Sequence, residues 1–448
     1  NGTSLGASAQ AATYTPSSAS AGTTYYYCIV TGTCGSATSA VSGAMVVNPI
    51  ASNFITSQNT ATQSVCLGNT FNAIAVTVPG NNISYQWYSN TSASNTGGIL
   101  ISGATTPSYT PSSSAAGTMY YYCVVSATGA ACGNATSGIA SVTISSPSAS
   151  SINTATGGTM VSGDYVWSGN SSTSWTTLGN WYTYNGTSFS VPTVDPTSTS
   201  NVYIVPSSST SCINASNAPT LNSNDGIVNL TVATGASLDL STNTVSMTGN
   251  LNVNGNITGS GTVLLNGTGN QTISGSGIVQ IPNLQTNKST GDVTLNNPVK
   301  VMNTLSMTNG NINTGSNILE VGSSTSSVGS VSWTNGTIKG YLKRWFGNST
   351  NSTQASGIFP VGNSSYNRYA QINFTTAPST GGYITIRYVS GLPSTGLIGL
   401  PLVASGQTIT NYEDEGYWEI TPDSYTGSLN SAVYTITLRG NTLTTVTD

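Results

Sequence analysis

The chain has 448 residues, of which only 4% are charged, and it contains 8 Lys plus Arg, 12 Asp plus Glu and no His, for a net charge of −4. Without histidine no Ser-His-Asp triad can form within the chain, and eight scattered cations argue against nucleic-acid binding. No apolar run approaches the roughly 20 residues of a membrane-spanning helix, so we expect no membrane span.

The cysteines favour disulfides over a metal site. None lies in a C-x-x-C pair, no histidine is present to complete a zinc site, and disulfides would indicate an oxidising compartment. The pairing stays open among Cys28, Cys34, Cys66, Cys123, Cys132 and Cys212. Long-range options join Cys66 to Cys132 or Cys123, and a local option joins Cys28 to Cys34. Cys212 has no obvious partner, and the alternative is that some cysteines are buried free thiols.

An internal repeat opens the chain. The string YTPSS at residues 14–18 recurs at 109–113, and YYYC at 25–28 recurs at 120–123, both with an offset of 95 residues. A period of this length with short predicted strands is typical of tandem immunoglobulin-like sandwiches. The chain begins in the middle of such a strand-rich domain, so we expect it to be a segment of a longer protein.

The repeat places the first domain boundaries. Residues 1–49 are predicted to be the C-terminal half of one immunoglobulin-like repeat, and 50–145 a complete domain. Trp87 occupies the position where such folds bury a tryptophan on the third strand. The tyrosines at 120–122 are interpreted as core and sheet surface, the alternative being an aromatic platform for sugars. Residues 146–160, rich in Ser, Thr, Ala and Pro, are predicted to be a linker.

Residues 161–340 are predicted to form a Trp-rich cap followed by a β-solenoid. Between 227 and 340, short segments that alternate apolar and polar residues recur with Asn, Gly and Ser at the corners, which is typical of solenoid rungs. Asparagines at such corners can stack as amide ladders. Trp167, Trp175 and Trp181 are interpreted as the cap that seals the first rung, the alternative being a carbohydrate-stacking surface.

The carboxylates predict neither a metal site nor catalysis in the solenoid. Asp225, Asp239, Asp292 and Glu320 are spread over about a hundred residues and do not follow the calcium-binding nonapeptide. Glycosidases need grouped carboxylates. We therefore expect no catalytic, cofactor-binding or metal residues, and no enzyme.

From Gly340 onward, longer strands predict a separate antiparallel β-sandwich over residues 341–448, which we expect to be truncated. Its acidic cluster, Glu413, Asp414 and Glu415, is interpreted as a solvated loop, the alternative being half a calcium site. The fold class is therefore all-β: tandem immunoglobulin-like sandwiches, a β-solenoid rod and a C-terminal antiparallel sandwich.

Several strings resemble one family. SVCLG at 64–68, YQWYSN at 85–90 and YTP at 109–111 resemble immunoglobulin-like repeats of giant cell-surface adhesins from gliding Gram-negative bacteria. The strings around Trp167 and Trp181, and FPVG at 359–362, resemble the solenoid and following domain of that group. The resemblance implies secretion across the outer membrane by the type IX pathway and an extracellular, cell-surface location. The sorting domain usual at the C-terminus of that family is not recognised here.

The function expected on these grounds is structural and adhesive. The chain would act as spacer and rod, presenting contact surfaces for attachment or surface motility, with a filament of stacked copies as a variant. Expected partners are neighbouring domains or copies of the same chain, surface or glycan ligands, and the secretion and anchoring machinery. The alternative is a carbohydrate-binding or polysaccharide-degrading β-helix protein.

Overall fold

The computed structural model describes residues 2–20, 22–47, 55, 57–59, 61–79, 83–127, 134–214, 216–324, 326–348, 357–376, 378–391, 402–404, 407–409, 416–423, 433–439 and 446–447. The chain divides into two compact units, Asn1–Ser146 and Pro147–Asp448. With 50% strand and 4% helix, the all-β prediction is confirmed.

The first unit begins with a 3-10 turn at Gly6–Ala9, and strands follow it. They are β1 (Gly22–Thr24), β2 (Ile29–Gly32), β3 (Gly35–Thr38), β4 (Met45–Val47), β5 (Ser57–Gln58), β6 (Gln63–Cys66), β7 (Ile74–Thr77), β8 (Ile83–Asn90), β9 (Ile99–Leu100), β10 (Ser108–Tyr109), β11 (Gly117–Ala127), β12 (Ala135–Thr136) and β13 (Ala140–Ser145).

Strands β5–β13 form the predicted complete sandwich. One sheet has the order β6-β13-β11-β8-β9, with β12 beside β11, and the other has the order β10-β7-β5. Trp87, at 1% exposure, donates its indole N–H to the Thr106 carbonyl at 2.9 Å. Tyr121 and Tyr122 are buried, and the Tyr122 ring stacks on Tyr88 with centroids 5.2 Å apart. These two tyrosines therefore belong to the packed interior and not to a sugar platform.

The pairing of the complete domain recurs in residues 22–47. Gly22 pairs with Val47, just as Gly117, 95 residues further on, pairs with Ile144. The Cys28 amide donates to the Ser39 hydroxyl, as the Cys123 amide does to Ser137, both at 2.9 Å. The two copies differ in burial because, within the described part of the chain, no sheet faces β1–β4 as β5, β7 and β10 face β11 in the complete domain.

One pair of equivalent valines measures this difference. Val125 is 0% exposed and Val30, its counterpart in the repeat, is 67% exposed. We expect Val125→Ala to lower the free energy of unfolding of the first unit by about 2 kcal/mol, through lost burial and a new cavity. Val30→Ala, the matched control, should stay within about 0.5 kcal/mol. Native-state hydrogen exchange measures the first effect in the β11 amides and the second in the β2 amides, and equal effects would contradict the difference in burial.

The second unit opens with α1 (Ala149–Thr156), followed by strands and a 3-10 turn at Leu178–Asn180. The strands up to the end of the solenoid are β14 (Tyr165–Trp167), β15 (Trp181–Tyr184), β16 (Phe189–Ser190), β17 (Val202–Ile204), β18 (Asp225–Ile227), β19 (Leu230–Val232), β20 (Ser237–Asp239), β21 (Thr244–Met247), β22 (Leu251–Val253), β23 (Asn256–Thr258), β24 (Thr262–Leu265), β25 (Gln271–Gly275), β26 (Val279–Leu295), β27 (Val299–Val321) and β28 (Ser330–Trp333).

The strands after the solenoid are β29 (Ile338–Phe346), β30 (Ile358–Phe359), β31 (Ala370–Thr376), β32 (Gly382–Ser390), β33 (Leu402–Ala404), β34 (Gln407–Ile409), β35 (Gly416–Asp423), β36 (Val433–Leu438) and β37 (Val446–Thr447). Among the described residues, the single α-helix, α1, is too short to cross a membrane.

A capped helix stands where the linker was predicted. The Ser148 hydroxyl accepts a hydrogen bond from the Ser151 amide at the N-cap of α1, and Gly157 ends the helix in the left-handed conformation, with φ of 68°. Ile152 is 0% exposed. Composition indicated flexibility, but one buried isoleucine between two good caps fixes this segment to the second unit.

The β-solenoid has about six turns. Parallel pairing stacks β17, β19, β22 and β25 on one face, and β18, β21 and β24 on another, before β26 and β27 run round the corners as long strands. Leu230, Leu251, Ile273 and Leu295 are in register on successive turns and are all buried. The alternation of the sequence therefore produces a continuous apolar column, as predicted.

Asparagines stack along one corner of successive rungs. Asn229 Nδ2 donates to Asn201 Oδ1 at 2.7 Å, and the backbone N–H of Asn250 donates to Asn229 Oδ1 at 2.5 Å. The predicted amide ladder is therefore built partly from side-chain and partly from backbone donors. The Asn201 amide group in turn donates to Asp164 at 2.8 Å, before the first rung. Each side chain thus satisfies groups that the corner would otherwise leave without a partner.

The C-terminal sandwich continues the solenoid and does not form a separate domain after Gly340. Strand β29 pairs in parallel with β27 on one edge and antiparallel with β32 on the other. The sheet continues to β35, and a second sheet has the order β30-β31-β36-β37. One apolar cluster runs from Tyr165 through the rungs to Tyr388. The strand β29 therefore belongs both to a sheet of the solenoid and to a sheet of the C-terminal sandwich.

Candidate functional site

The three tryptophans of the predicted cap are buried. Trp167, Trp175 and Trp181 are exposed by 2% or less, and the Trp181 ring packs edge-on against both others, with centroids 4.9 and 4.7 Å away. Trp181 Nε1 donates to the Trp175 carbonyl at 2.6 Å, and Trp167 Nε1 donates to the Asn217 carbonyl at 2.7 Å. Rings enclosed in this way cannot stack on a sugar, so these residues seal the first rung.

A small open pocket beside Trp167 is too small for an ordinary ligand. It is lined by Pro206, Asn214 and Asn217, among others, and holds about 40 Å³. Ligand sites usually enclose roughly 300–1,000 Å³. The pocket has room for a few water molecules only.

The solenoid carboxylates bind separate structural partners. Asp225 accepts from Trp175 Nε1 and from the Gly226 amide, and burial raises the pKa of its carboxyl group above the ordinary range. Asp239 accepts from the Ser241 amide at 2.8 Å. Asp292 pairs with Lys339, and Glu320 with Lys300. Among the described residues no three of these groups converge on a possible metal position.

The cysteine pairing departs from two of the options. Cys28, Cys34 and Cys123 are free thiols, so the bridges Cys28–Cys34 and Cys66–Cys123 do not form. Cys66 and Cys212 each take part in a disulfide. Burial raises the pKa of the Cys123 thiol to about 11, which keeps it protonated and inert. Cys132, together with the acidic cluster Glu413, Asp414 and Glu415, lies outside the described residues.

Every cation of the chain contacts an acceptor, an acid or an aromatic ring. Lys288 and the two arginines Arg344 and Arg368 are buried, and burial lowers the pKa of Arg344 to about 10. Arg439 lies over the Tyr369 ring, with 5.7 Å between guanidinium carbon and ring centroid. The remaining four cations form ion pairs; they are Lys300, Lys339, Lys343 and Arg387. None is arranged in a stripe that could follow a phosphate backbone.

One surface combines charge with aromatic rings. On β29 and β32, alternate residues are buried, so the intervening residues face away from the core. On β35, Trp418 and Ile420 are partly buried against the core, so Tyr417 and Glu419 lie on the same outer side. Lys300 and Glu320 of β27 lie next to them. We call this surface the charged–aromatic face; its members are Lys300, Glu320, Tyr341, Lys343, Trp345, Tyr383, Arg387, Tyr417, Glu419 and Asp423.

The arginine end of this face is held by a short ion pair. Arg387 Nε lies 2.6 Å from Glu419 Oε2, across directly paired positions of β32 and β35. This hydrogen bond raises the pKa of Arg387 and lowers that of Glu419. The Arg387 guanidinium also covers the Tyr341 ring at 4.6 Å, and the Tyr417 hydroxyl donates to Glu419 at 3.4 Å.

The lysine end repeats the same combination. Lys343 Nζ lies 2.8 Å from Asp423 Oδ2 and 4.2 Å from the centroid of the Tyr383 ring. The Tyr383 hydroxyl donates to Glu320 Oε1 at 2.8 Å, and burial with this contact raises the pKa of the phenol. Trp345 packs edge-on against Tyr383, with centroids 4.8 Å apart. Both ends therefore place an aromatic ring beside a paired cation and anion.

Sequence reasoning did not find this face, because its members are spread over residues 300–423 and meet only through strand pairing. A local signal was present in Tyr341-x-Lys343-x-Trp345, where charged and aromatic residues alternate with buried ones. That signal was interpreted only as the start of a new sandwich.

Comparison with known proteins covers the first unit alone. A family model described as "Domain of unknown function (DUF8696)" matches residues 55–146, which is the complete sandwich and less than half of the chain. No curated protein and no solved structure matches. The match supports residues 55–146 as one domain and carries no information on activity.

Proposed function

We propose that this chain is a structural and adhesive segment of a large secreted cell-surface protein. The sandwich of the first unit acts as a spacer. The solenoid of the second unit acts as a rod that presents the C-terminal sandwich for contact. Neighbouring domains or further copies of the chain, surface or glycan ligands, and a secretion and anchoring machinery such as the type IX pathway are the partners that the adhesin resemblance implies.

The observation that carries this proposal is the continuous core of the second unit. Buried side chains run from the tryptophan cap through the rungs into the sandwich, without a break at Gly340. Each rung contributes burial worth roughly 1.5–3 kcal/mol for each large apolar side chain, so the stack gains stability along its length. Such an element keeps its ends apart under load, which is what a spacer or rod requires.

Two further features support an extracellular location. The disulfides of Cys66 and Cys212 suit an oxidising compartment. Residues 1–287 contain no lysine or arginine, so proteases that cut after these residues find no site there even in unfolded segments. Both features favour a protein that remains outside the cell for long periods.

The alternative function was either carbohydrate binding or polysaccharide degradation, and one observation favours the first. The charged–aromatic face has the composition of a binding surface. Polysaccharide degradation lacks such support, because the described solenoid carboxylates are separated and bound to structural partners.

The test removes the residues of this chain from the protein in the organism that produces it. We expect attachment to surfaces to fall several-fold while the remainder of the protein still reaches the cell surface, as measured by immunoblotting of surface fractions. Unchanged attachment together with the loss of breakdown of a polysaccharide would overturn the adhesive proposal in favour of the enzymatic alternative.

A further inference from the structure

We propose that the charged–aromatic face binds an uncharged polysaccharide, one whose sugar rings present flat C–H faces. This inference deepens the adhesive function proposed above and rests on it. The face would be the surface that contacts the ligand, and the solenoid would hold it at a distance from the cell.

Charge is concentrated on this face. The chain has 20 charged residues in all, 8 basic and 12 acidic, and six of them lie among the ten members of the face. They are three cations and three anions, each of them in an ion pair with an anion or cation of the same face. In a chain that otherwise nearly avoids charge, such a cluster is expected where ligand contacts need strong donors and acceptors.

The pairing of these charges determines the kind of ligand. Because three cations and three anions sum to zero, the members of the face carry no net charge that would attract an acidic polymer or a nucleic acid. Three of the charged groups have solvent access, since the side chains of Asp423, Glu419 and Arg387 are 54%, 38% and 31% exposed. The other three charged side chains are between 17% and 21% exposed. Sugar hydroxyls both donate and accept, so alternating carboxylates and cations match them without requiring charge on the ligand.

The aromatic residues supply the second half of the recognition. Tyr341, Trp345, Tyr383 and Tyr417 are half-buried on the same side of the sheet. Arg387 lies over the Tyr341 ring and Lys343 over the Tyr383 ring, so a sugar would contact the surface of these rings that the cations leave exposed. Residues two apart on a strand are separated by roughly 6.5 Å, which spreads the rings along the surface and does not gather them in one pocket. An extended chain of rings fits this layout better than a small compact ligand does.

A protein partner is less well matched to the face. Stable protein interfaces use roughly 20–30 residues a side, whereas the face comprises ten of the described residues, most of them half-buried. Its ion pairs are also already formed, so a protein would gain little by pairing with them.

The experiment is native affinity electrophoresis of the 448-residue protein in gels that contain hydroxyethyl cellulose, galactomannan or, as an anionic comparison, dextran sulfate. We expect a neutral polysaccharide to retard the wild-type protein and dextran sulfate to leave its mobility unchanged. The double variant Tyr341→Ala, Tyr417→Ala should bind about four- to a hundredfold more weakly, since each ring contact contributes roughly a factor of two to ten. Tyr25→Ala, which removes a 58% exposed tyrosine outside the face, is the control and should bind as wild type.

Arg387→Gln provides a second measurement, because it keeps the size of the side chain and should weaken retardation without disturbing the core. Wild-type binding by both face variants would overturn the inference, as would retardation by dextran sulfate alone or by neither neutral polymer. If the neutral polymers fail while surface attachment still depends on the chain, the adhesive function survives and a protein receptor becomes the ligand to seek.

Discussion

Replacing Trp181 with alanine is expected to lower the free energy of unfolding of the second unit by about 4 kcal/mol, near the upper end for a buried large-to-small change. Trp181 is 0% exposed, and its ring fills the space between Trp167, Trp175 and Tyr165. The substitution removes this packing and leaves a cavity at the end of the stack. It also leaves the Trp175 carbonyl without its indole donor.

The loss of stability should be largest near the cap and decrease along the solenoid. In a stack where each rung contacts mainly its neighbours, damage at one end spreads inward from that end. Hydrogen exchange should therefore accelerate first in β14, β17 and β19, and last in β29 and β32. Trp181→Phe, which keeps an aromatic ring, should lose less than half as much stability.

A control removes a tryptophan at a less enclosed place. Trp333 is half-buried, packs on Tyr369 and donates to the Gly336 carbonyl at 2.9 Å. We expect Trp333→Ala to cost about 2 kcal/mol, because less apolar surface is involved. If Trp181→Ala cost no more than this, or if protection fell evenly over all rungs, the cap role assigned to Trp181 would be wrong.

The rungs were predictable because each is encoded locally. In Leu251-Asn252-Val253 or Val245-Ser246-Met247, the alternation within three residues decides which side chains face inward. Stacking then follows from the need to bury those faces. The tryptophan cap was predictable for the same reason, since several large rings in a short polar segment need an interior, and an open end of the stack provides one.

Features that depend on pairing between distant strands were not predictable. The charged–aromatic face needs β29, β32 and β35 side by side, and the order of strands in a sheet is not written in any one of them. Likewise, β29 reads as an ordinary strand from Ile338 to Phe346. Nothing in it indicates that one edge pairs in parallel with the solenoid and the other antiparallel with the sandwich.

A buried lysine inside the solenoid was also not predictable from the sequence, because its partners lie on another turn. Lys288 is 1% exposed, and its Nζ donates to the carbonyls of Gly267 and Gly269, at 2.7 and 2.8 Å, and to Gln271 Oε1 at 2.8 Å. Burial lowers its pKa, as expected for an amine taken out of water. On the next turn, Gly310 has φ of 95°, and a Cβ there would lie 2.7 Å from Lys288 Cβ. The turn above therefore leaves room for the lysine stem.

Replacing Lys288 with methionine is expected to lower the free energy of unfolding of the second unit by about 4 kcal/mol, measured by urea denaturation. Methionine fills much of the same volume, so the loss isolates the hydrogen bonds. Three acceptors lose a charged donor at once, and a hydrogen bond to a charged group contributes roughly 1.5–3 kcal/mol. The loss stays below the sum of three such bonds because Gln271 Oε1 keeps the Gly267 amide as a donor. Lys300→Met is the matched control, because Lys300 forms a partly exposed ion pair with Glu320, and its removal should cost less than about 1 kcal/mol.

A second substitution distinguishes lost hydrogen bonds from lost packing. Gln271 is 0% exposed and shares its Oε1 between Lys288 and the Gly267 amide. If unsatisfied polar groups cause the loss, the stability losses of the two substitutions should not add. Gln271→Leu should then lower the free energy of unfolding less in the Lys288→Met protein than in the wild type, because Lys288 and Gln271 are partners and both are removed. Strictly additive losses would assign the effect of Lys288→Met to packing. A Lys288→Met protein as stable as the wild type would mean that the carbonyls of Gly267 and Gly269 find other donors, and the lysine would then not be what holds this turn of the solenoid in place.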